Sequence, residues 1–445
     1  MSPGLERERQ NASKDRDMKF TALLHHLNES SLLRAFQRLE PKAAPGVDGV
    51  VWQQYRVKLE ANLKGLCDRV HRGSYRAKPS RRVYIPKADG RMRPLGIAAL
   101  EDKIVQGAVV EILNAIYEAD FLGFSYGFRP GRGAHQALDA LATGIQQRKV
   151  NWVLDADIRG FFDNINHEWL LKFLQHRIAD RRLLRLIGKW LRVGVIEQDQ
   201  WKASESGTPQ GATGSPILAN IYLHYVLDTW THHWRRQHAR GEVLLVRYAD
   251  DFVMGFEQRE DAEQFLTLLH HRMGKFGLAL HGEKTRLIRF GRFAAVQRER
   301  RGQGKPETFH FLGFTHISAR SQNGNFLLTR HTMRKRLCAK LSEVKAELQL
   351  IRHQPLRSQG EWLGSVLRGY YRYYGVPTNV HALDQFRTEL GHAWFRSLRR
   401  RSQKRSLNWE RMTHHVTRWL PRAHICHPWP WDRFAARTQN KSRVR

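Results

Sequence analysis

The sequence predicts an α+β protein in which an antiparallel sheet precedes an α-helical C-terminal part. Residues 243–246 and 252–256 are two apolar, β-prone runs that meet at a tight turn, as in an antiparallel hairpin. A third strand-like run starts at Trp152 and reaches Ile158. Beyond residue 320 the apolar residues recur instead at helical spacing, as in Leu337, Leu341, Val344 and Leu348.

The hairpin between residues 243 and 256 carries two adjacent carboxylates, Asp250 and Asp251, at its tip. Two such groups a few ångströms apart repel each other by about 1 kcal/mol in water, and by more where water is excluded. A divalent cation bound between the two carboxylates would neutralise this repulsion, so the pair could form a metal-binding site. The alternative is an exposed Asp-Asp turn that binds nothing.

The run that starts at Trp152 supplies further carboxylates. Asp155 and Asp157 lie on one face of the predicted strand, because side chains alternate along a strand. A carboxylate on a separate strand, opposite an Asp-Asp hairpin, is what two-metal phosphoryl transfer needs, with the ions roughly 3.5–4 Å apart. Hard oxygen ligands favour two Mg²⁺ ions, with Mn²⁺ as the alternative, over Zn²⁺.

Two motifs resemble those of a known family. The segments Tyr-Ala-Asp-Asp at 248–251 and Asp-Ile-Arg-Gly-Phe-Phe at 157–162 are similar to the active-site hairpin and first catalytic strand of group II intron reverse transcriptases/maturases. The resemblance implies a right-hand polymerase, with fingers and an antiparallel palm sheet followed by an α-helical thumb. It also implies that Asp157, Asp250 and Asp251 are the catalytic metal ligands.

The same resemblance implies a set of nucleotide-binding residues. Residues 80–106 read as a strand that turns and resumes, and Lys87 and Arg93 flank the turn. Their charges suit a triphosphate, and the family uses the matching positions for the incoming nucleotide. Phe162 matches the ring that lies under the sugar and excludes a 2′-hydroxyl, which implies dNTP use. The alternatives are a basic hairpin that faces solvent or RNA, and an ordinary core aromatic at Phe162.

Three more blocks resemble the family. A small-residue loop that runs into a helix carries Gln210 and Gly211, implied to lie at the nascent base pair, and Asn220 near it. Lys284 matches a lysine that protonates the pyrophosphate leaving group as a general acid. Gly313 breaks an aromatic strand that resembles the grip on the primer end.

We expect two groups of arginines to contact nucleic acid. Arg129 and Arg132 lie in a Gly/Pro-broken loop that enters a helix at about Ala134 and matches a family block for template or primer binding. Residues 321–445 hold 25 Lys and Arg against 7 Asp and Glu, a net charge of +18, on four predicted helices that resemble the thumb. Tyrosines between 370 and 374 either stack on bases or pack a helix interface. The candidate contacts in this part are Arg399, Arg400 and Arg401.

The whole chain is strongly basic. Its 445 residues carry 75 Lys and Arg against 42 Asp and Glu, a net charge of +33, and the pI is near 10.7. Such an imbalance indicates a polyanionic partner. The length predicts two or three domains. We expect an N-terminal extension with the start of the fingers at 1–80, fingers and palm at 81–320, and the thumb (maturase) domain at 321–445.

Three scattered cysteines without a CxxC pair exclude a disulfide framework and fit a reducing compartment. The chain shows no signal peptide and no membrane-length apolar run. We therefore expect a cytoplasmic protein without a membrane partner. The family resemblance further implies a bacterial protein that associates with the nucleoid when it acts on DNA. It also shows no paired cysteines of an HNH endonuclease, which predicts the family type that lacks this domain.

The basic stretch 286–305 predicts a mobile surface loop.

The expected function is RNA-directed DNA synthesis combined with assistance to intron splicing and copying of the intron into cDNA during mobility. The implied partners are group II intron RNA, an RNA template with a DNA primer, dNTPs and target DNA. One alternative is a protein that acts chiefly as an RNA-binding splicing maturase, for which the aspartates are dispensable. Another is a domesticated reverse transcriptase in DNA repair or phage defence.

Overall fold

The protein is described by a computed structural model that covers residues 2–86, 92–197, 200–203, 206–208, 211–401 and 407–438. The predicted site residues Lys87 and Gln210 lie outside the described residues. Within these ranges, no helix has the length and apolar character needed to cross a membrane.

Helices make up most of the structure. In chain order they are α1 Pro3–Lys14, α2 Glu29–Gln37, α3 Trp52–Val57, α4 Leu59–His71, α5 Leu100–Tyr117, α6 Ala134–Gln147, α7 His167–Gln175, α8 Arg181–Arg192, α9 Ser215–Leu223, α10 Thr229–Gln237, α11 Arg259–Lys275, α12 Ala294–Arg300, α13 Arg334–Leu350, α14 Leu356–Tyr374, α15 Val380–Arg399, α16 Trp409–Trp419 and α17 Pro430–Thr438. A π-helical segment, His224–Asp228, joins α9 to α10. α1 and α2 pack against α5, which is apolar over most of its surface.

The strands form three sheets. They are β1 Ser80–Pro86, β2 Met92–Ile97, β3 Trp152–Ala156, β4 Val195–Glu197, β5 Gln200–Lys202, β6 Val243–Tyr248, β7 Asp251–Phe256, β8 Arg286–Arg289, β9 Thr308–Phe311, β10 Phe314–Arg320 and β11 Phe326–Thr332. The first sheet has the order β2-β1-β4-β5. Its antiparallel pair β1–β2 confirms the two predicted strands, while the turn predicted between them lies outside the described residues.

The central sheet has the order β6-β7-β3-β8, and every neighbouring pair is antiparallel. The predicted hairpin and the third strand are therefore confirmed. Leu154 and Met254 point into one hydrophobic core, whereas Val153 and Val253 point into another. Because both faces of the sheet are covered, its strands read as continuous apolar runs rather than as alternating ones.

The prediction of a mobile loop over residues 286–305 was wrong. The segment forms β8, which completes one edge of the central sheet beside β3, and then the short helix α12. Arginines at both ends of β8 concealed the strand, since only Ile288 of its four residues is fully buried.

The third sheet and the C-terminal helices follow. β11 pairs along β10, so the predicted domain 321–445 begins with a strand, and its helical part starts only at Arg334. The four predicted helices are confirmed as α13 to α16. Asn408 caps α16, because its side chain accepts a hydrogen bond from the Arg411 amide at 3.0 Å. A further helix, α17, was not predicted, and it packs on α6.

Candidate active site

The tip of the β6–β7 hairpin is a two-residue turn. Tyr248 pairs with Asp251, which leaves Ala249 and Asp250 as the turn residues. Ala249 has a φ of +57°, in the left-handed region where hairpin turns usually carry glycine. This conformation costs an L-residue roughly 1–2 kcal/mol. The contacts around the turn must therefore hold it in place.

Asp157 lies next to this tip. The last pair between β3 and β7 joins Ala156 to Phe252, so Asp157, the first residue after β3, lies opposite Asp251. The Asp157 carbonyl accepts a hydrogen bond from the His281 amide at 2.8 Å, which anchors the backbone just after the strand. The three predicted carboxylates thus lie near one another, although they come from two segments that are remote in sequence.

The crowding of these carboxylates changes their acidity. Desolvation, followed by repulsion from Asp250 and Asp157, raises the pKa of Asp251 to about 7 although this residue is exposed at the hairpin tip. Desolvation and repulsion from Asp157 also raise the pKa of Asp250, while Arg93 acts in the opposite direction. A bound divalent cation would favour the charged form of each carboxylate and lower both pKa values.

Lys284 is a cation placed directly among the carboxylates. Its ammonium group forms an ion pair with Asp157. In the part of the chain that the structure describes, no three His, Cys, Asp or Glu side chains already converge as a metal-binding set. The donor chemistry nevertheless fits Mg²⁺, because three carboxylates offer hard oxygen ligands and two have raised pKa values. Asp157 would have to exchange Lys284 for the metal.

A first recess of about 640 Å³ adjoins the carboxylates, a volume typical of small-ligand sites. Arg93 and Phe162 line it together with Asp157, Asp250 and Lys284. The structure therefore brings two of the predicted nucleotide-binding residues to the predicted catalytic ones. Phe162 is both a core aromatic, with 9% of its surface exposed, and a wall of this recess.

The loop before α9 supports this recess through its glycines. Gly207 has a φ of +84°, and a Cβ added there would lie 2.8 Å from the Phe162 carbonyl oxygen. The amide of Thr208 donates a hydrogen bond to the same carbonyl at 2.8 Å, so the loop fixes the backbone of Phe162. Gly211 has a φ of +101°, and a Cβ there would lie 3.3 Å from the Gly96 carbonyl of β2. Gly211 is thus close to β2, but it does not line the first recess.

A second recess, of about 900 Å³, shares Asp157 and Lys284 with the first and is also lined by Asp251. Gly313 lines it with a φ of +81°, so the predicted primer-grip position lies beside the carboxylates. Arg336, in the first turn of α13, lines the same recess and was missed in the sequence. Nothing in the local pattern distinguishes it from the other arginines near the start of that helix.

Two of the predicted nucleic-acid contacts are buried. Arg129 is paired with Glu118 at 2.9 Å, its side chain is 2% exposed, and it also donates to backbone carbonyls. Asn220 is 1% exposed and donates to the Gly127 carbonyl at 2.7 Å. These placements argue against direct contact with nucleic acid and indicate structural roles. Arg132 is half-buried and donates to a backbone carbonyl at 2.6 Å.

The three predicted contacts at the end of α15 also differ in their exposure to solvent. Arg399 and Arg400 are exposed, whereas Arg401 is half-buried and bonds two carbonyls in the loop between α13 and α14. Tyr370 and Tyr371 are buried in the core of the C-terminal helices. The Tyr373 hydroxyl instead donates to the carbonyl of Leu312, in the turn between β9 and β10, at 2.9 Å. The helix-interface alternative therefore describes Tyr370 and Tyr371, whereas Tyr373 and Tyr374 are half-buried and line the second recess.

About half of the chain is similar in sequence to known proteins. Residues 85–316 match the family model of the reverse transcriptase (RNA-dependent DNA polymerase). The chain is 36% identical over 277 residues to protein YkfC of Escherichia coli K12, an alignment that covers 55% of this chain and 72% of that protein. It is 37% identical over 222 residues to the group II intron-encoded protein LtrA of Lactococcus lactis, covering 49% of this chain and 37% of LtrA. A 91 kDa protein in a cob intron of Schizosaccharomyces pombe is 35% identical over 222 residues, covering 48% of this chain and 27% of that protein. The chain thus spans well under half the length of these two intron-encoded relatives.

Proposed function

The chain belongs to the reverse transcriptase (RNA-dependent DNA polymerase) family, with group II intron-encoded relatives, and from this premise we propose that Asp157, Asp250 and Asp251 form the catalytic centre at which it copies RNA into DNA. The proposal rests on the placement of these carboxylates, which come from two distant segments and line two recesses that share Asp157. The first of these recesses is also lined by Arg93 and Phe162. We take dNTPs and a DNA primer paired with an RNA template as the substrates.

The chain's own residues would mainly position the substrates. Two Mg²⁺ ions, when held by the three carboxylates, would activate the primer 3′-hydroxyl and neutralise charge on the transferred phosphate. Arg93 would hold the triphosphate in the first recess by bidentate contacts. Phe162 would lie against the sugar and leave no room for a 2′-hydroxyl. Gly313, without a Cβ, would let the primer end come close to Asp251 in the second recess.

Lys284 would act as a general acid in this reaction. It lines both recesses, so its ammonium group is within reach of the triphosphate once it leaves Asp157. From there Nζ would donate a proton to the departing pyrophosphate oxygen. The pairing between Lys284 and Asp157 then describes a resting arrangement, which substrate and cations would replace.

The test is primer extension on an RNA template by an Asp250→Ala variant. We expect the rate of synthesis to fall by about a thousandfold, since an electrostatic group at the reacting phosphate is lost. Affinity for the template–primer, measured by filter retention, should change by less than about threefold, because most binding comes from phosphate contacts elsewhere. Asp384→Ala, at an exposed position of α15, is the matched control. Extension that survives in Asp250→Ala would overturn the assignment.

A second function, assistance to intron splicing, is favoured by the net charge of +18 in residues 321–445. Exposed arginines such as Arg399 and Arg400 would bind intron RNA phosphates with an affinity that falls steeply with salt. The RNA that co-purifies with protein expressed from its native locus tests this role. Excised intron with joined exons supports it, and splicing that persists in Asp250→Ala would separate it from polymerisation. Bulk cellular RNA alone would favour a domesticated polymerase instead.

A further inference from the structure

Arg247 lies in β6, two residues before Ala249 of the turn, yet its side chain is completely buried. It forms an ion pair with Asp228, and both side chains are 0% exposed. Nε donates to one carboxylate oxygen at 2.7 Å and Nη2 to the other at 2.5 Å. Burying such a pair carries a desolvation penalty that apolar residues of similar volume would avoid. Stability alone is therefore a weak explanation for charges at these positions.

The remaining guanidinium donors reach the turn itself. Nη1 donates to the Ala249 carbonyl at 2.9 Å and to the side-chain oxygen of Asn220 at 2.9 Å. Ala249 is the residue with the left-handed φ of +57°. Asp228 closes the π-helical segment between α9 and α10, a type of distortion that is frequent at functional sites. The pair with Asp228 thus fixes the angle from which Arg247 holds the turn.

The same cluster holds the loop that covers the turn. The Asn220 amide donates to the Gly127 carbonyl at 2.7 Å, and a Cβ added to Gly127 would lie 2.2 Å from the Ala249 nitrogen. The next residue, Phe128, is also left-handed, with a φ of +58°, and its ring lies 6.4 Å from that of Tyr248. Two strained residues on facing segments therefore depend on one buried polar cluster.

We propose that Arg247 is a positioning residue for nucleotide transfer. Its guanidinium, oriented by Asp228 and Asn220, holds the Ala249 carbonyl and keeps the turn in the left-handed conformation that directs Asp250 towards Asp157. The inference rests on the proposed catalytic role of Asp250. It adds that the turn is set from inside the protein rather than by its own two residues.

The test replaces the buried pair by apolar residues of similar volume, Arg247→Met with Asp228→Leu, so that no unpaired charge remains. The control is the same exchange at Arg177 and Asp120, an ion pair of 3.2 Å whose side chains are 2% and 9% exposed. That pair supports α1 through a bond from Arg177 to the Ala12 carbonyl. We expect kcat to fall by about tenfold or more in the first variant, with the KM for dNTP changed by less than about threefold. In the control variant kcat should stay within about twofold of the wild-type value, even if its melting temperature changes.

Hydrogen exchange supplies a readout that does not depend on synthesis. The backbone amides of residues 243–256 should exchange faster in the Arg247→Met, Asp228→Leu variant than in the wild type. In the control variant their exchange should be unchanged. An unchanged kcat together with unchanged exchange would overturn the positioning role. If Asp250→Ala also remained active, the proposed function itself would have failed, so the two failures are distinguishable.

A milder variant keeps the proposal testable if the double exchange does not fold. Arg247→Lys retains the charge opposite Asp228 but cannot serve both Asp228 and the Ala249 carbonyl. We expect a similar loss of kcat, and adding Ala249→Gly should recover about threefold of it, because glycine adopts a positive φ without support. Activity of Arg247→Lys within about twofold of the wild type, or no recovery with glycine, would overturn the proposal.

Discussion

Replacing Gly127 by alanine is expected to disable synthesis while leaving the fold intact. The added Cβ would lie 2.2 Å from the Ala249 nitrogen and 2.9 Å from the Tyr248 carbonyl carbon, whereas ordinary contacts begin at 3.4 Å. The hairpin or the loop must therefore move by about 1.2 Å, because backbone atoms cannot rotate away as a side chain can. Overpacking of this kind costs about 1–3 kcal/mol of stability. A displacement of about 1 Å at reacting groups can cost about a hundredfold in rate.

The assay is single-turnover primer extension together with thermal unfolding of each variant. Gly274→Ala is the matched control: this glycine lies in α11, its φ is not positive, and a Cβ there meets nothing within 4 Å. We expect the control to be as active as the wild type and slightly more stable, by about 1 kcal/mol at most. Gly127→Ala with a rate within about threefold of the wild type would refute the argument that this contact sets the turn.

Three further results are expected. Phe162→Val should lower the preference for dNTPs over ribonucleotides by about tenfold to a hundredfold, measured as the ratio of their kcat/KM values. Asp139→Ala should cost about 3–5 kcal/mol in denaturant unfolding, because Asp139 is 1% exposed and is the partner of Arg330 and Arg433. Finally, the pKa of Asp251 is raised to about 7 in the folded protein, so that as the pH rises this carboxyl ionises in the unfolded chain before it ionises in the folded one. Between about pH 4 and pH 7 in chelator, the wild type should therefore lose melting temperature relative to Asp251→Asn, and saturating Mg²⁺ should remove that difference.

The central hairpin was predictable because its signal is local. The runs at 243–246 and 252–256 are too apolar and β-prone for any other element of that length, and the acidic pair between them marks the turn. The N-cap at Asn408 was predictable for a similar reason, since a short side chain that accepts a backbone bond acts within one helical turn. The strand β8 was not, because its arginines hide a single buried Ile288.

The assignment of individual arginines depended on tertiary structure. Arg129 and Arg399 are equally plausible phosphate ligands in the sequence, yet the first is enclosed with Glu118 and the second is exposed. Arg247 drew no attention in the sequence, because nothing in the local pattern shows which way an arginine three positions before Asp250 points. The fold turns it inward to Asp228, which lies 19 positions away.

By itself the sequence determined the carboxylates Asp157, Asp250 and Asp251 on which the proposed catalysis rests, the strands next to them, and the basic character of residues 321–445. These are properties of single residues and of short periodic patterns, which act over a few positions. Only the tertiary structure decided which charges are buried, that Lys284 pairs with Asp157, and that the turn is held from within. Burial and pairing of a charge depend on what distant segments place around it, because desolvation and Coulomb attraction are set by distance in space rather than along the chain.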